Sequence, residues 1–295
     1  MPKRRFLPFA FGLTLFTCFT FAAGPARADE AAEHYNKGLQ FKREGKVAEA
    51  IPEVEKAIAL RPDYAAARMT LGNLWRAQGN YDKAAVEYEN VVKLEPKDPV
   101  AHGNLGAAYV RLKRIDDGIR ELEVAVGLDP NVFETQMSLG AAYRQKADYP
   151  KAILHLQKAT ELQPSDAGAW TNLGVAKSKA NDRPGALAAF KRALEINPNG
   201  ADQHFNLAAY YRRERQTEQA IAEYELALKH NPKLAKAHYD LGILYSQERR
   251  TDDAIAAFKH YLEYGTAEDA PSRKEAEDRL QSLEAAAAKK KAKHP

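Results

Sequence analysis

A proline recurs every 34 residues along most of this chain. Pro62, Pro96, Pro130, Pro164, Pro198 and Pro232 hold that spacing without a slip. Gly38, Gly72, Gly106, Gly140, Gly174 and Gly242 keep the same period, with Ala208 in the remaining place. So do Ala50, Ala84, Gly118, Ala152, Ala186, Ala220 and Ala254. An aromatic follows three residues after the glycine at Phe41, Trp75, Tyr109, Tyr143, Tyr211 and Tyr245, and Lys177 is the exception. A fixed period of this length marks a stack of units, none of which buries its apolar face alone. It also changes what length implies, because 295 residues would otherwise suggest about two separate domains.

The second unit contains RMTLGNLWRAQGNYDKAAVEYENVVKLEP, two helical patterns joined at a turn signal, Gly79-Asn80. Asn181-Asp182 marks the same turn three units later. Small residues at the glycine and alanine places let the two helices approach, and the aromatics fill the space between them. The proline stops the second helix, because it lacks an N–H and crowds the preceding turn.

At these signature places the chain resembles the tetratricopeptide repeat family in all seven units. The resemblance implies an all-α fold, an α-solenoid of seven 34-residue helix-turn-helix repeats over residues 31–268. The units run 31–64, 65–98, 99–132, 133–166, 167–200, 201–234 and 235–268, and a C-terminal capping helix follows within 269–288. Ser272 with Glu275 predicts a capping box at its start. Ala276, Leu280, Leu283 and Ala287 then form an apolar stripe that covers the open end of the stack. Pro52 falls inside a second helix, which it is expected to kink. Thr266 stands where the seventh proline would be. Lys289, Lys290, Lys291 and Lys293 make residues 289–295 a basic tail, expected to be disordered. That tail is either a contact for an anionic membrane or cell-wall surface or a solubilising end.

Residues 1–28 read as a secretory signal peptide. Lys3-Arg4-Arg5 supply the positive start, residues 6–21 an apolar run, and Ala26-Arg27-Ala28 a cleavage pattern. This predicts an exported chain, periplasmic or secreted, with no cysteine after cleavage. Two alternatives keep it on a membrane, an uncleaved anchor through residues 6–21 or lipidation at Cys18. Beyond residue 28 the chain carries 40 basic and 40 acidic residues, so nothing in its balance draws it to nucleic acid.

With the glycine numbered position 8 of each unit, positions 4, 7, 8 and 11 share one side of the first helix, the core side. Positions 2, 6, 9 and 13 lie opposite, within about 60° of one another. In tetratricopeptide proteins that opposite side lines the concave groove, and the resemblance implies the same here. Position 6 carries Asn36, Thr70, Asn104, Ser138, Asn172, Asn206 and Asp240. Position 13 carries Arg43, Arg111, Lys179 and Arg213 in the four units with asparagine at 6. Position 12 adds Lys42, Arg76, Arg144 and Arg212 at the groove edge. An asparagine row can pair with peptide groups in both directions, and the cations can select carboxylates. Equally, a solvated helix face must be polar, and asparagine can bridge neighbouring units with no ligand at all.

The resemblance includes members that use such an asparagine row. The Lys-Asn-Asn-Lys-Arg carboxylate clamp of other members is missing, since position 5 holds Tyr35, Met69, Gly103, Met137, Thr171, Phe205 and Tyr239. His34, His102, His204 and His238 fall at position 4, where the family packs an aromatic, and read as core rather than as metal ligands. No P-loop, G-x-G-x-x-G or H-E-x-x-H is present. The expected role is a non-catalytic scaffold that takes a partner's peptide segment, an acidic one among the candidates, with no cofactor, metal or small-molecule substrate. A self-associating structural role and an accessory binder of glycan remain as alternatives.

Overall fold

The computed structural model describes residues 25–266 and 270–293. The apolar run over 6–21 and Cys18 lie outside them, and so do residues 267–269, the last two of the seventh unit and the first of the expected cap. Among the described residues there are fifteen α-helices and no strand. Seven antiparallel pairs follow the period: α1 (Pro25–Arg43) with α2 (Val47–Leu60), α3 (Ala65–Ala77) with α4 (Tyr81–Leu94), and α5 (Pro99–Arg111) with α6 (Ile115–Leu128). Then come α7 (Phe133–Gln145) with α8 (Tyr149–Leu162), α9 (Ala167–Lys179) with α10 (Arg183–Ile196), α11 (Ala201–Arg213) with α12 (Thr217–His230), and α13 (Ala235–Gln247) with α14 (Thr251–Tyr264). A last helix, α15 (Ala270–Lys293), closes the order. The expected cleavage pattern, Ala26–Ala28, stands in the first turn of α1.

One residue in the left-handed region makes each turn inside a pair. Gly45, Gly79, Lys113, Ala147, Asn181, Arg215 and Arg249 all have φ between 58° and 75°. After α3 the N–H of Asn80 reaches Trp75 O (2.9 Å) and that of Gly79 reaches Arg76 O (2.9 Å), the Schellman pattern that satisfies a helix's last carbonyls. The other six turns repeat both bonds. Only two of the seven are glycine, so the bulkier residues carry a strain of about 1 kcal/mol each.

Between pairs, each second helix ends two residues before the periodic proline, whose neighbour is driven to extended backbone. The proline carbonyl is then caught by position 4 of the next unit. Arg68 Nε donates to Pro62 O (2.8 Å), Gln136 Nε2 to Pro130 O (2.8 Å) and Trp170 Nε1 to Pro164 O (3.0 Å). His102, His204 and His238 use Nε2 in the same way on Pro96, Pro198 and Pro232. The requirement at position 4 is therefore an N–H donor on a flat or forked side chain, not aromaticity.

The glycines allow close approach. A Cβ on Gly106 would lie 2.6 Å from Leu122 Cγ and 2.8 Å from the Gly118 carbonyl oxygen. Successive first helices also touch one another, α5 with α7, α7 with α9 and α9 with α11, while second helices make no comparable contact. The first helices therefore line the inner side of the curve.

Helix α15 lies on α14. Ala276 is fully buried there with Phe258 and Tyr261, and Leu280 and Leu283 pack beside them. Three expectations change. The capping box does not form, since Ser272 already lies inside the helix. The Glu275 carboxylate instead accepts from Tyr239 Oη and Arg279 Nε, both at 2.9 Å. Residues 289–293, expected to be disordered, are helical to Lys293. Finally, α2 runs unbroken across Pro52, which sits exposed near its start, so that the missing N–H forfeits a single bond.

Candidate functional site

Three cavities open among the first helices: a small one of about 220 Å³ beside α15, which includes Asp240, and two larger ones. The larger, about 660 Å³, lies across α3, α5 and α7, with Tyr81 of α4 at its edge. Position 9 holds Asn73, Ala107 and Ala141 there, where the first, fifth and seventh units place Leu39, Val175 and Ile243 and the sixth Ala209. Its walls are Arg76, Arg111 and Arg144, with Ser138 and Gln145. The second, about 490 Å³, lies across α9, α10 and α11 and includes Lys179, Asn206, Arg212 and Arg213.

The cations of the two cavities differ in what they hold. Arg213 donates to the Ser178 carbonyl and to Ser178 Oγ. Arg212 is paired with Asp240, which also accepts from Tyr224 Oη at 2.8 Å. Burial raises the Asp240 carboxyl above its ordinary range in spite of those two partners. In the larger cavity no acidic side chain is among the lining residues. Arg111 lies over the Tyr81 ring, 5.0 Å from its centroid. Arg76 sits near the buried Tyr88 hydroxyl, whose pKa burial pushes up to about 12 and which itself donates to Asn73 Oδ1 (2.9 Å). Arg144 is half-buried, and its Nε is wholly covered with no hydrogen-bond partner. Burial lowers its pKa.

The predicted residues divide accordingly. Arg111 and Ser138 meet in the larger cavity, and Lys179, Asn206 and Arg213 in the smaller. Asn36 and Arg43 are exposed on α1, away from both. The rest of the position 6 row is largely occupied inside the array. Thr70 is buried against Tyr35 Oη (3.1 Å), and Asn104 Nδ2 contacts Met69 Sδ (3.4 Å) in the preceding unit. Asn172 and Asn206 donate back along their own helices, to Gly168 O (3.0 Å) and Asp202 O (2.7 Å). Groove polarity thus rests on positions 12 and 13 more than on position 6.

The histidines belong to the scaffold. Position 4 pairs with position 23 in the same unit: His34 with Glu53 (2.6 Å), Arg68 with Glu87 (2.8 Å), His102 with Glu121 (2.7 Å) and His204 with Glu223 (2.6 Å). Where position 23 is His155, position 4 is Gln136, and its Oε1 accepts from the ring at 2.8 Å. Among the described residues no group of three or more His, Cys, Asp and Glu is placed to hold a metal ion.

Stacked helix pairs with an inner face of first helices define a protein–protein interaction scaffold of the α-solenoid class. Tetratricopeptide repeat models match residues 42–87, 72–113, 140–181, 167–199, 189–222 and 235–264, more than half of the chain. The chain belongs to the tetratricopeptide repeat family. No curated protein matches it. A tetratricopeptide repeat protein from Parabacteroides merdae superposes with a TM-score of 0.71 at 17% identity, over 86% of this chain and 99% of that one. PilW, a widely conserved type IV pilus biogenesis factor, gives a TM-score of 0.62 at 16% identity, over 68% and 94%. YrrB, described as a tetratricopeptide protein with an unusual peptide-binding site, gives 0.51 at 22% identity, over 62% and 95%. At these identities the likeness is one of fold.

Proposed function

We infer that this chain is a non-catalytic scaffold of the cell envelope that holds an extended segment of a partner protein in its inner groove. The observation that carries the reading is the pair of cavities on one continuous face, each walled by cations and floored by small or apolar side chains. Such a surface offers backbone and side-chain hydrogen bonds beside shallow apolar contact, the usual mixture for extended peptides. A peptide-binding site is ascribed to YrrB, whose fold is similar, and this supports the same use of the face here. The envelope location rests on the leader pattern alone. Packing of α15 over α14 weighs against end-to-end growth from that end of the stack.

The test is photo-crosslinking in cells from Ala107, Ala141 and Ala209 in the groove, with Val86 and Leu154 on second helices as controls. Both controls are more than half exposed. Partner capture from the groove positions only is the expected result. Capture confined to the controls would remove the groove from the account. N-terminal sequencing of the purified protein, expected to begin at Asp29, tests export.

A further inference from the structure

We propose that Arg76, Arg111 and Arg144 form a receptor for side-chain carboxylates of an acidic peptide segment, with Arg144 as its anchor. The inference rests on the groove reading above and narrows it to one stretch, α3 to α7, and one ligand chemistry.

Three observations lead there. First, the three guanidiniums surround one cavity of about 660 Å³ with no Asp or Glu in its lining. General basicity does not explain this, since basic and acidic residues balance at 40 each beyond residue 28. Second, none of the three has a carboxylate partner among the described residues. By contrast, Arg68 is paired with Glu87 and Arg212 with Asp240. Third, Arg144 Nε is covered and unbonded. A buried donor without a partner is costly, and in native structures such groups are few. The covered Nε is closed to a ligand, so a carboxylate takes its two parallel bonds from the Nη end of the group, which a neutral peptide oxygen cannot match.

The cavity also has the right form for a chain rather than a free ion. It crosses three units, and the cations belong to three successive first helices. Ala107 and Ala141 leave room beneath for a backbone. Arg111 lies over the Tyr81 ring, a contact that leaves its N–H groups available to a ligand.

The experiment is a titration of the full chain into an amidated, fluorescein-labelled peptide of alternating glutamate and alanine, read by anisotropy. Its glutamine counterpart and free glutarate as competitor are the two comparison arms. The acidic peptide is expected to bind, and to weaken as salt is raised. The glutamine peptide is expected to bind about tenfold more weakly or worse. Arg144→Gln and Arg111→Gln should each weaken the acidic peptide by about tenfold. Lys93→Gln, on an exposed stretch of α4, should leave it unchanged. Arg111 is exposed, so its variant keeps the test valid if Arg144→Gln fails to fold.

Absence of binding by the acidic peptide overturns the proposal. So does equal binding of the glutamine peptide, or indifference to both arginine changes. Displacement by glutarate at the peptide's own concentration would make the cavity a site for free anions and overturn the peptide assignment. In each of these cases groove crosslinking can still succeed, so the two readings fail separately.

Discussion

The inner face over α3 to α7 and the inner face over α9 to α13 are built from the same repeat, yet they treat their cations in opposite ways. In the second region Arg212 is spent on Asp240 and Arg213 on Ser178, so those side chains knit one unit to the next. In the first, Ser138 and Asn104 stand at position 6 where Asp240 stands later, and no acid answers Arg76, Arg111 or Arg144. For the position 12 arginines the difference follows position 6 of the next unit, which is Asp240 for Arg212 but Asn104 for Arg76 and Asn172 for Arg144. One stretch uses its arginines for cohesion, and on our proposal the other keeps them for recognition.

The sharpest way to break that contrast is Asp240→Ala. It strips Arg212 and the buried Tyr224 hydroxyl of their shared acceptor and should cost about 2–3 kcal/mol in chemical denaturation. A loss below about 0.5 kcal/mol would mean the second region gains nothing from its ion pair. Next comes Gly106→Ala, whose new methyl meets a backbone oxygen at 2.8 Å and should cost about 1–3 kcal/mol. The reverse change at the same place in the sixth unit, Ala208→Gly, should cost about 1 kcal/mol or less. If the two losses are equal, the tight helix contact in the third unit is not what separates them. Arg144→Met should leave stability unchanged or raise it by up to about 1 kcal/mol, because it deletes a covered donor that nothing satisfies. A marked loss would mean the side chain supports the fold.

The smallest effect concerns acid. Hydrogen bonds from His34 first, then from Lys56 and Lys37, hold the Glu53 carboxyl down from about 4.5 to about 2. A depressed carboxylate stabilises the fold above its unfolded value and loses that contribution as pH falls through the folded one. The first unit should therefore lose hydrogen-exchange protection between about pH 4.5 and pH 2, ahead of units five and seven, where Ala189 and Ala257 occupy that place. Glu53→Gln should flatten the dependence. An unchanged profile would remove Glu53 as its source.

The fold was legible because its determinants repeat. The prolines, glycines and alanines recur often enough that one unit interprets the next, and local backbone chemistry does the rest. The site was legible only in part. Positions 12 and 13 could be placed on the inner face, but the partners of those side chains come from units about 28 to 35 residues away, as with Arg212 and Asp240 or Arg213 and Ser178. The sequence leaves Asn104 open to two roles, a rung for a ligand or a bridge between units, and its amide contacts Met69 of the unit before. Other pairings were present and went unread. Glu at 23 accompanies His or Arg at 4, and His155 accompanies Gln136, a covariation that aligning the chain with itself reveals. The N–H donor at position 4 was obscured because four different residue types provide it.

Among the described residues, the helices pack chiefly on neighbours one or two elements away in the chain. Damage and improvement should then both stay local, so that changes in the second and sixth units sum without interference. For such a chain, adapting to a new client is a matter of editing one stretch of text, with the remaining sentences still grammatical.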